Sequence, residues 1–496
     1  MKYYNPVVTG FYPDPSVCKA NGKYYLVCSS FQYFPGVPLF ESEDLINWTQ
    51  IGHVLTRPNQ VMLEKINSSG GVFAPTIRYN DGRFYMVTTN DTTHTHFYVY
   101  TDDIYGEWSD PVTVDQNGID PSLLFDDGHV YFMSNGTDDD NVPGVVQCEI
   151  DIATGKKLSK SKTIWQGSGG RYLESPHLYK INDYYYLMAA EGGTEYGHMI
   201  TYARSKSPWG PFENYAANPV LTNRNKAPYR IQGIGHGDLI EDYNGNWHIL
   251  CLGFRQIHMW QTYHNLGREV FVIPVNFDSD EWFKAGKDGT CDGSYEIQGD
   301  FSQAPIKEYT FKSTDWNIDW AYLRHPHVEN YTLSDDYAIL HGTDVTLEDV
   351  DSPTFICLRQ REFNMDLSVD VSIDQGEAGV SLYMCENEHY DIAIRKTEDG
   401  YEAVLKLNIG DIKHIQNTIK LSGPEARLII KSDSVFYNFS VVDNDVTATL
   451  GRAQSKYLSS EVSNGFTGVV TGLYAIGNNT ARFTDFDCKY EREVIE

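Results

Sequence analysis

Phe11-Tyr12-Pro13-Asp14-Pro15-Ser16 carries a core that recurs as Asp120-Pro121-Ser122, with Ala74-Pro75-Thr76 and Glu174-Ser175-Pro176-His177 as variants. A few residues after each copy comes a turn and a run of apolar and aromatic residues. Five such segments begin at Asn21-Gly22, Asp81-Gly82, Asp127-Gly128, Asn182-Asp183 and Asn244-Gly245, at spacings of 60, 46, 55 and 62 residues. Asn-Gly and Asp-Gly between apolar runs are the strongest short hairpin signal, because both turn residues need positive φ. The spacing is close to the length of a propeller blade.

Seven or eight residues before these turns stand Asp14, Ala74, Asp120, Glu174 and His236. The strand between each of them and its turn would be the innermost of a blade, lining the central channel. Five innermost strands would therefore begin at one channel mouth, and three carry a carboxylate at or beside the same place. The pattern predicts an all-β chain, with a five-bladed β-propeller over residues 1–305. A β-sandwich or an irregular β array is the competing arrangement for that segment.

After about residue 305 the texture changes, and all nine tryptophans lie at or before Trp320. Alternating runs such as Asp366-Leu367-Ser368-Val369-Asp370-Val371 suggest sheets with one buried face. A concanavalin-like, jelly-roll β-sandwich is expected over residues 306–496. Without a Gly/Ser-rich or charged linker, the two domains should pack closely.

With 496 residues, 41% of them hydrophobic, the chain can fill more than one core. The net charge of −29 disfavours nucleic acid and anionic membranes as partners and suits a neutral one. Eight scattered cysteines without a Cys-x-x-Cys pair read as reduced thiols. With no apolar leader at Met1-Lys2-Tyr3-Tyr4, the expected location is the cytoplasm. Self-association through the sandwich is expected.

Three carboxylates at one mouth suit glycoside hydrolysis, in which one acid protonates the leaving oxygen and a second activates water or attacks the sugar. A third can raise the pKa of the acid by like-charge repulsion. Any one Asp before Pro-Ser is more simply a turn residue; the shared frame favours chemistry for Asp14, Asp120 and Glu174 as a set. His236 stands in the equivalent place of the fifth blade, and no second histidine at ligand spacing supports zinc. A solvated hard cation in the channel, touched by the one imidazole, is compatible with the pattern but does not follow from it. Phe31, Phe73 and Ile119 stand beside the motifs as candidate pocket walls. Arg255 is a candidate for sugar hydroxyls or for a structural ion pair.

These motifs, together with Phe34-Pro35-Gly36-Val37-Pro38, Gly71-Val72-Phe73-Ala74-Pro75-Thr76 and Gly235-His236-Gly237-Asp238, resemble glycoside hydrolase family 43. Ser352-Pro353-Thr354-Phe355 through Arg359-Gln360, and Gly465-Phe466-Thr467-Gly468, resemble the C-terminal sandwich of that family's β-xylosidases. The resemblance implies a five-bladed propeller and inversion at the anomeric carbon, with Asp14 as general base, Glu174 as general acid and Asp120 tuning the acid. It further implies that Arg255 contacts substrate, that His236 sits by a channel calcium or water, and that Phe466 closes the pocket of an exo-acting enzyme. Phe73 departs from the tryptophan of many such β-xylosidases, so the resemblance admits both β-D-xylose and α-L-arabinofuranose. The expected activity is release of terminal β-D-xylose from neutral xylo-oligosaccharides. The alternatives are an α-L-arabinofuranosidase and a non-catalytic carbohydrate-binding propeller.

Overall fold

A computed structural model describes residues 1–495. The predicted turns are where the chain folds back. Asn21, Asp81 and Asp127 have φ of 52°, 48° and 48°, and the glycine after each is at 81–84°. Both central residues are thus left-handed, which matches the twist of the flanking strands. In the fifth blade the turn is wider. There Asp242 accepts from the amides of Asn244 and Asn246, both at 2.8 Å.

Each turn joins the first two strands of a four-stranded antiparallel sheet, and there are five such sheets. Their innermost strands are Ser16–Ala20, Thr76–Asn80, Ile119–Asp126, Glu174–Ile181 and Ile231–Glu241. The N-terminal segment closes the ring. Lys2–Tyr4 pairs with Ser294–Glu296, and Val7 and Val8 bond Val270 in the fifth sheet.

The channel is clamped by one buried carboxylate. Asp238 accepts from Ser16 Oγ at 2.6 Å, Tyr179 Oη at 2.5 Å, and Arg78 at 2.8 and 3.1 Å. Nη2 of that guanidinium, which makes the longer bond to Asp238, also reaches His177 Nδ1 at 2.9 Å. Four of the five innermost strands meet at this cluster. The third is tied in by Thr76 and Ser122, whose hydroxyls bond the carbonyls of Pro121 and Pro176.

The last strand of the fifth blade is Phe283–Ala285, and Tyr309–Thr310 opens the sandwich. Two eight-stranded sheets follow. Asn364–Ile373 shows why: every second residue from Met365 to Ile373 is buried in the inter-sheet core, the period that a one-sided strand requires. One edge of the second sheet is completed by a propeller segment, Tyr33–Phe34, paired to Tyr322 and Leu323. This loop of the first blade is a shared element that sets the sandwich against the channel mouth. Among the described residues, no helix is long and apolar enough to cross a membrane.

Candidate active site

The acids reach the mouth through a repeated backbone kink. Asp14 and Asp120 have φ of 56° and 54°, Ser175 has 55° and His236 has 44°. The last three sit at register shifts in the pairing of the innermost strand, between Ile119 and Ser122, Glu174 and His177, and Gly235 and Gly237. A left-handed residue at a bulge turns its neighbours off the sheet face toward the channel opening. Such conformations each cost of order 1–3 kcal/mol and cluster at functional sites. The kink refines the predicted frame: Ser175, not Glu174, is the counterpart of Asp14 and Asp120. Glu174 is one residue earlier, in the place Ile119 occupies in the third blade.

Asp14, Asp120, Glu174 and His236 line one cavity of about 500 Å³. Asp14 is buried, and its two oxygens accept from Ser29 Oγ at 2.5 Å and Arg268 at 2.7 Å. Burial alone would push its carboxyl up. The Arg268 guanidinium, with the Ser29 hydroxyl, outweighs that and holds it below the ordinary aspartate range. Asp14 is therefore ionised at neutral pH.

Glu174 is pushed up to about 7, first by burial and then by the charge of Asp14. Asp120 is also raised, by burial and then by Glu174 and Asp14. Its Oδ2 accepts from the Ser175 amide at 3.0 Å, so Asp120 holds the backbone of the residue next to Glu174. His236 is kept neutral by burial, with Nδ1 at 3.7 Å from Asp14 and 3.9 Å from Asp120. One cavity thus holds an ionised carboxylate and a carboxylic acid that keeps its proton to about neutral pH. That is what a reaction needing one base and one acid demands.

The apolar wall draws on both domains. Phe31 lies 5.3 Å from Phe73 and is stacked 6.2 Å from Phe466, which belongs to the sandwich. Phe466 is fixed by its own backbone: its amide bonds Ser69 Oγ at 2.9 Å, and its carbonyl accepts from Arg268 at 3.1 Å. Phe31, Phe73, Ile119, His236 and Phe466 all line the cavity.

Arg255 does not. Its side chain is fully buried, forked onto Glu269 at 2.8 Å twice and bonded to Glu362 of the sandwich at 2.7 Å. It is a buried ion pair that joins the domains. The arginine that meets Asp14 in the cavity is Arg268, on the far side of the same hairpin, since Gly253 pairs with Glu269. The sequence signal was Gly267-Arg268 opening an apolar strand, which closely resembles Gly253-Phe254-Arg255 ending one. Arg255→Met would leave two carboxylates buried without their counter-charge. An expected loss of about 3–5 kcal/mol should appear as a lower denaturant midpoint with active-site titration unchanged in the folded fraction. A midpoint equal to wild type would show the cluster to be hydrated.

The donor set near His236 does not make a metal cage. Among the described residues, no group of three His, Cys, Asp or Glu side chains is placed to hold an ion. The next carboxylate inward, Asp238, already serves Arg78, Ser16 and Tyr179. Among the described residues, the expected hydrated calcium would have His236 and water around it rather than a set of ligating side chains. Sequence reading also missed Arg171, Tyr172 and Glu195 of the cavity lining. They stand in no repeated motif and carry no local signal.

The family model for glycosyl hydrolases family 43 matches residues 3–283. A second, for the concanavalin A-like C-terminal domain of β-xylosidases, matches residues 308–490. A non-reducing end α-L-arabinofuranosidase, BoGH43B of Bacteroides ovatus, is 39% identical over 98% of this chain and 94% of its own length. A β-xylosidase of Bacillus subtilis is 31% identical over 95% of this chain and 96% of its own. Among solved structures, "Bacteroides ovatus Xyloglucan PUL GH43B" superposes with a TM-score of 0.93 at 38% identity, covering 99% of this chain and 100% of that one. A family match over more than half of the chain, and relatives alike along nearly their whole length, place this chain among the glycosidases: it belongs to glycoside hydrolase family 43.

Proposed function

We propose that the protein is an exo-acting, inverting glycosidase that releases one terminal pentose from the non-reducing end of xylan-type oligosaccharides. The observation that carries the chemistry is the opposite displacement of two carboxyls in one cavity, Asp14 downward and Glu174 upward. Asp14 takes a proton from water as that water attacks the anomeric carbon. Its orientation is set by Arg268 and Ser29, and each oxygen keeps a lone pair for the water. Glu174 gives its proton to the glycosidic oxygen as the bond breaks. Asp120 holds Glu174 in place through the amide of Ser175, and the charge that helps to keep Glu174 protonated is that of Asp14. Exo action is supported by the aromatic wall, in which Phe31, Phe73 and Phe466 close the cavity beside the base.

For the sugar, we put α-L-arabinofuranoside first, reversing the order expected from sequence. Phe73 stands where many of the family's β-xylosidases have tryptophan, and the relative at 39% identity is named for that sugar. β-D-Xyloside is the second reading, supported by the relative at 31%. The test is turnover of aryl α-L-arabinofuranoside and aryl β-D-xylopyranoside by one preparation. Faster hydrolysis of the former is expected. A faster xyloside restores the β-xylosidase reading, and sugar binding without turnover of either makes the propeller a binding module.

The pH profile follows from the two carboxyls. Glu174 must be protonated, so kcat/KM should fall about tenfold per unit above pH ~7. Asp14 must be ionised, so activity should persist until the pH drops below the ordinary aspartate range. A profile that rises through pH 7 would refute the acid assignment.

A further inference from the structure

The segment that leads to Glu174 is built with unusual stringency for an exposed loop. Glu191, fully buried, accepts from the Ser168 amide at 2.5 Å, Ser168 Oγ at 2.9 Å and the Gly170 amide at 2.8 Å. Gly167 and Gly170 let that carboxylate in, since an added Cβ would lie 2.2 and 2.5 Å from its oxygens. The Gly192 amide bonds the Arg171 carbonyl at 2.7 Å, and Arg171 Nε returns to the Gly192 carbonyl at 3.1 Å. The Arg171 guanidinium is also paired with Glu195.

What this scaffold presents is an exposed aromatic ring. Tyr172 is 61% exposed, yet its backbone is held left-handed at φ 52°. Its ring lies on Gly193, where a Cβ would sit 3.0 Å from the ring edge, and the Arg171 guanidinium stands 5.2 Å from its centre. Strain and pinning of this kind persist only where the surroundings over-determine them, and they mark functional positions. The ring lines the active cavity, two residues before the acid. The cavity lining falls into two sets of touching residues. Arg268, which bonds Asp14, stands over Phe31 and Phe466, and Phe73 packs on both rings, while Arg171, Tyr172, Gly193 and Glu195 form a second cluster on the segment that runs into Glu174.

We propose that Tyr172 is the platform for the leaving group: the sugar ring on the departing side of the scissile bond stacks on its exposed face. The argument rests on Glu174 being the acid, because the proton donor lies on the side of the departing oxygen. The ligand is a neutral pyranosyl unit, whose C–H face suits an aromatic ring and whose hydroxyls suit the Arg171 and Glu195 rim. Preorganisation by Glu191 means that the ring need not be ordered on binding. Tyr172 would thus read what the terminal pentose is attached to, while the phenylalanine wall reads the pentose itself.

The test compares the native protein with Tyr172→Ala and Tyr172→Phe, using a pentosyl oligosaccharide as substrate and free pentose as inhibitor. Tyr172→Ala should lower kcat/KM for the oligosaccharide about 10- to 50-fold, chiefly through KM, the size expected for uncovering one ring face. Its inhibition constant for free pentose should stay within about twofold of native, because that sugar occupies the pocket beyond the bond. Tyr172→Phe should keep native values. Equal loss in the Phe and Ala variants, or weaker inhibition by free pentose in Tyr172→Ala, would overturn the platform. Failure of the native protein to hydrolyse any pentoside would count against the proposed function instead. The platform is then read by calorimetric binding of the same oligosaccharide: loss of binding in Tyr172→Ala supports it, and unchanged binding overturns it.

Discussion

Glu174→Ala should cut kcat for natural oligosaccharides by about 10²–10⁴-fold, the range that general acid catalysis supplies. It should largely spare aryl glycosides whose leaving groups need no proton. The split follows from what the side chain does. A sugar alkoxide is a poor leaving group and must be protonated as the bond breaks; a nitrophenolate leaves unaided. On the oligosaccharide, the residual activity of the variant should show no alkaline limb near pH 7, because the group that titrates there is gone. Removing Glu174 leaves no buried counter-charge behind, so the fold should tolerate it. Equal loss on both substrate types would mean that Glu174 serves binding or structure, and the acid would have to be sought in Asp120.

Asp14→Asn should behave differently, with turnover lost by about 10²–10⁴-fold on every substrate, aryl glycosides included. Water must be deprotonated whatever the leaving group is. Asparagine is the informative replacement because its carbonyl can still accept from Arg268 and its amide can still donate to Ser29 Oγ. The geometry then survives while the basicity disappears. Alanine would strand the Arg268 guanidinium in the cavity wall and confuse loss of base with loss of shape. In the native enzyme, proton NMR of the first-formed sugar should show the anomer opposite to that of the substrate. Retention of configuration would recast Asp14 as a nucleophile, and near-normal turnover by Asp14→Asn would remove it from the chemistry.

Some of this architecture can be read locally because the conformation at issue is local. A left-handed turn residue is cheap for Asn, Asp and Gly and costly for most others, so Asn21-Gly22, Asp81-Gly82 and Asp127-Gly128 announce hairpins wherever they stand. The same preference explains why Asp14 and Asp120 could be recognised, since the kink at the strand head tolerates aspartate and is followed by proline. Glu174 shows the limit of that logic. The left-handed residue in its blade is Ser175, and the acid is displaced by one position. Only the pairing of Glu174 with Ala190 and of His177 with Met188 shows how the strand is re-registered.

The two arginines make the same point about long-range structure. Arg255 and Arg268 flank one hairpin, in similar Gly-containing contexts. Nothing local distinguishes the one that meets Asp14 from the one that meets Glu362, a residue 107 positions away. The charge states of the acids are equally non-local. Asp14 is held ionised by a guanidinium 254 residues distant, and Glu174 is kept protonated mainly by its burial.

The sequence by itself determined the five blades, the second all-β domain and the places of Asp14 and Asp120, because turn conformation and strand alternation are set by neighbouring residues. The tertiary structure alone decided which arginine meets Asp14, that Tyr172 stands exposed in the cavity, and which burial and charges displace the carboxyls in opposite directions. Each of those depends on burial and on charges brought together across the closed ring and the domain interface, where distance along the chain carries no information.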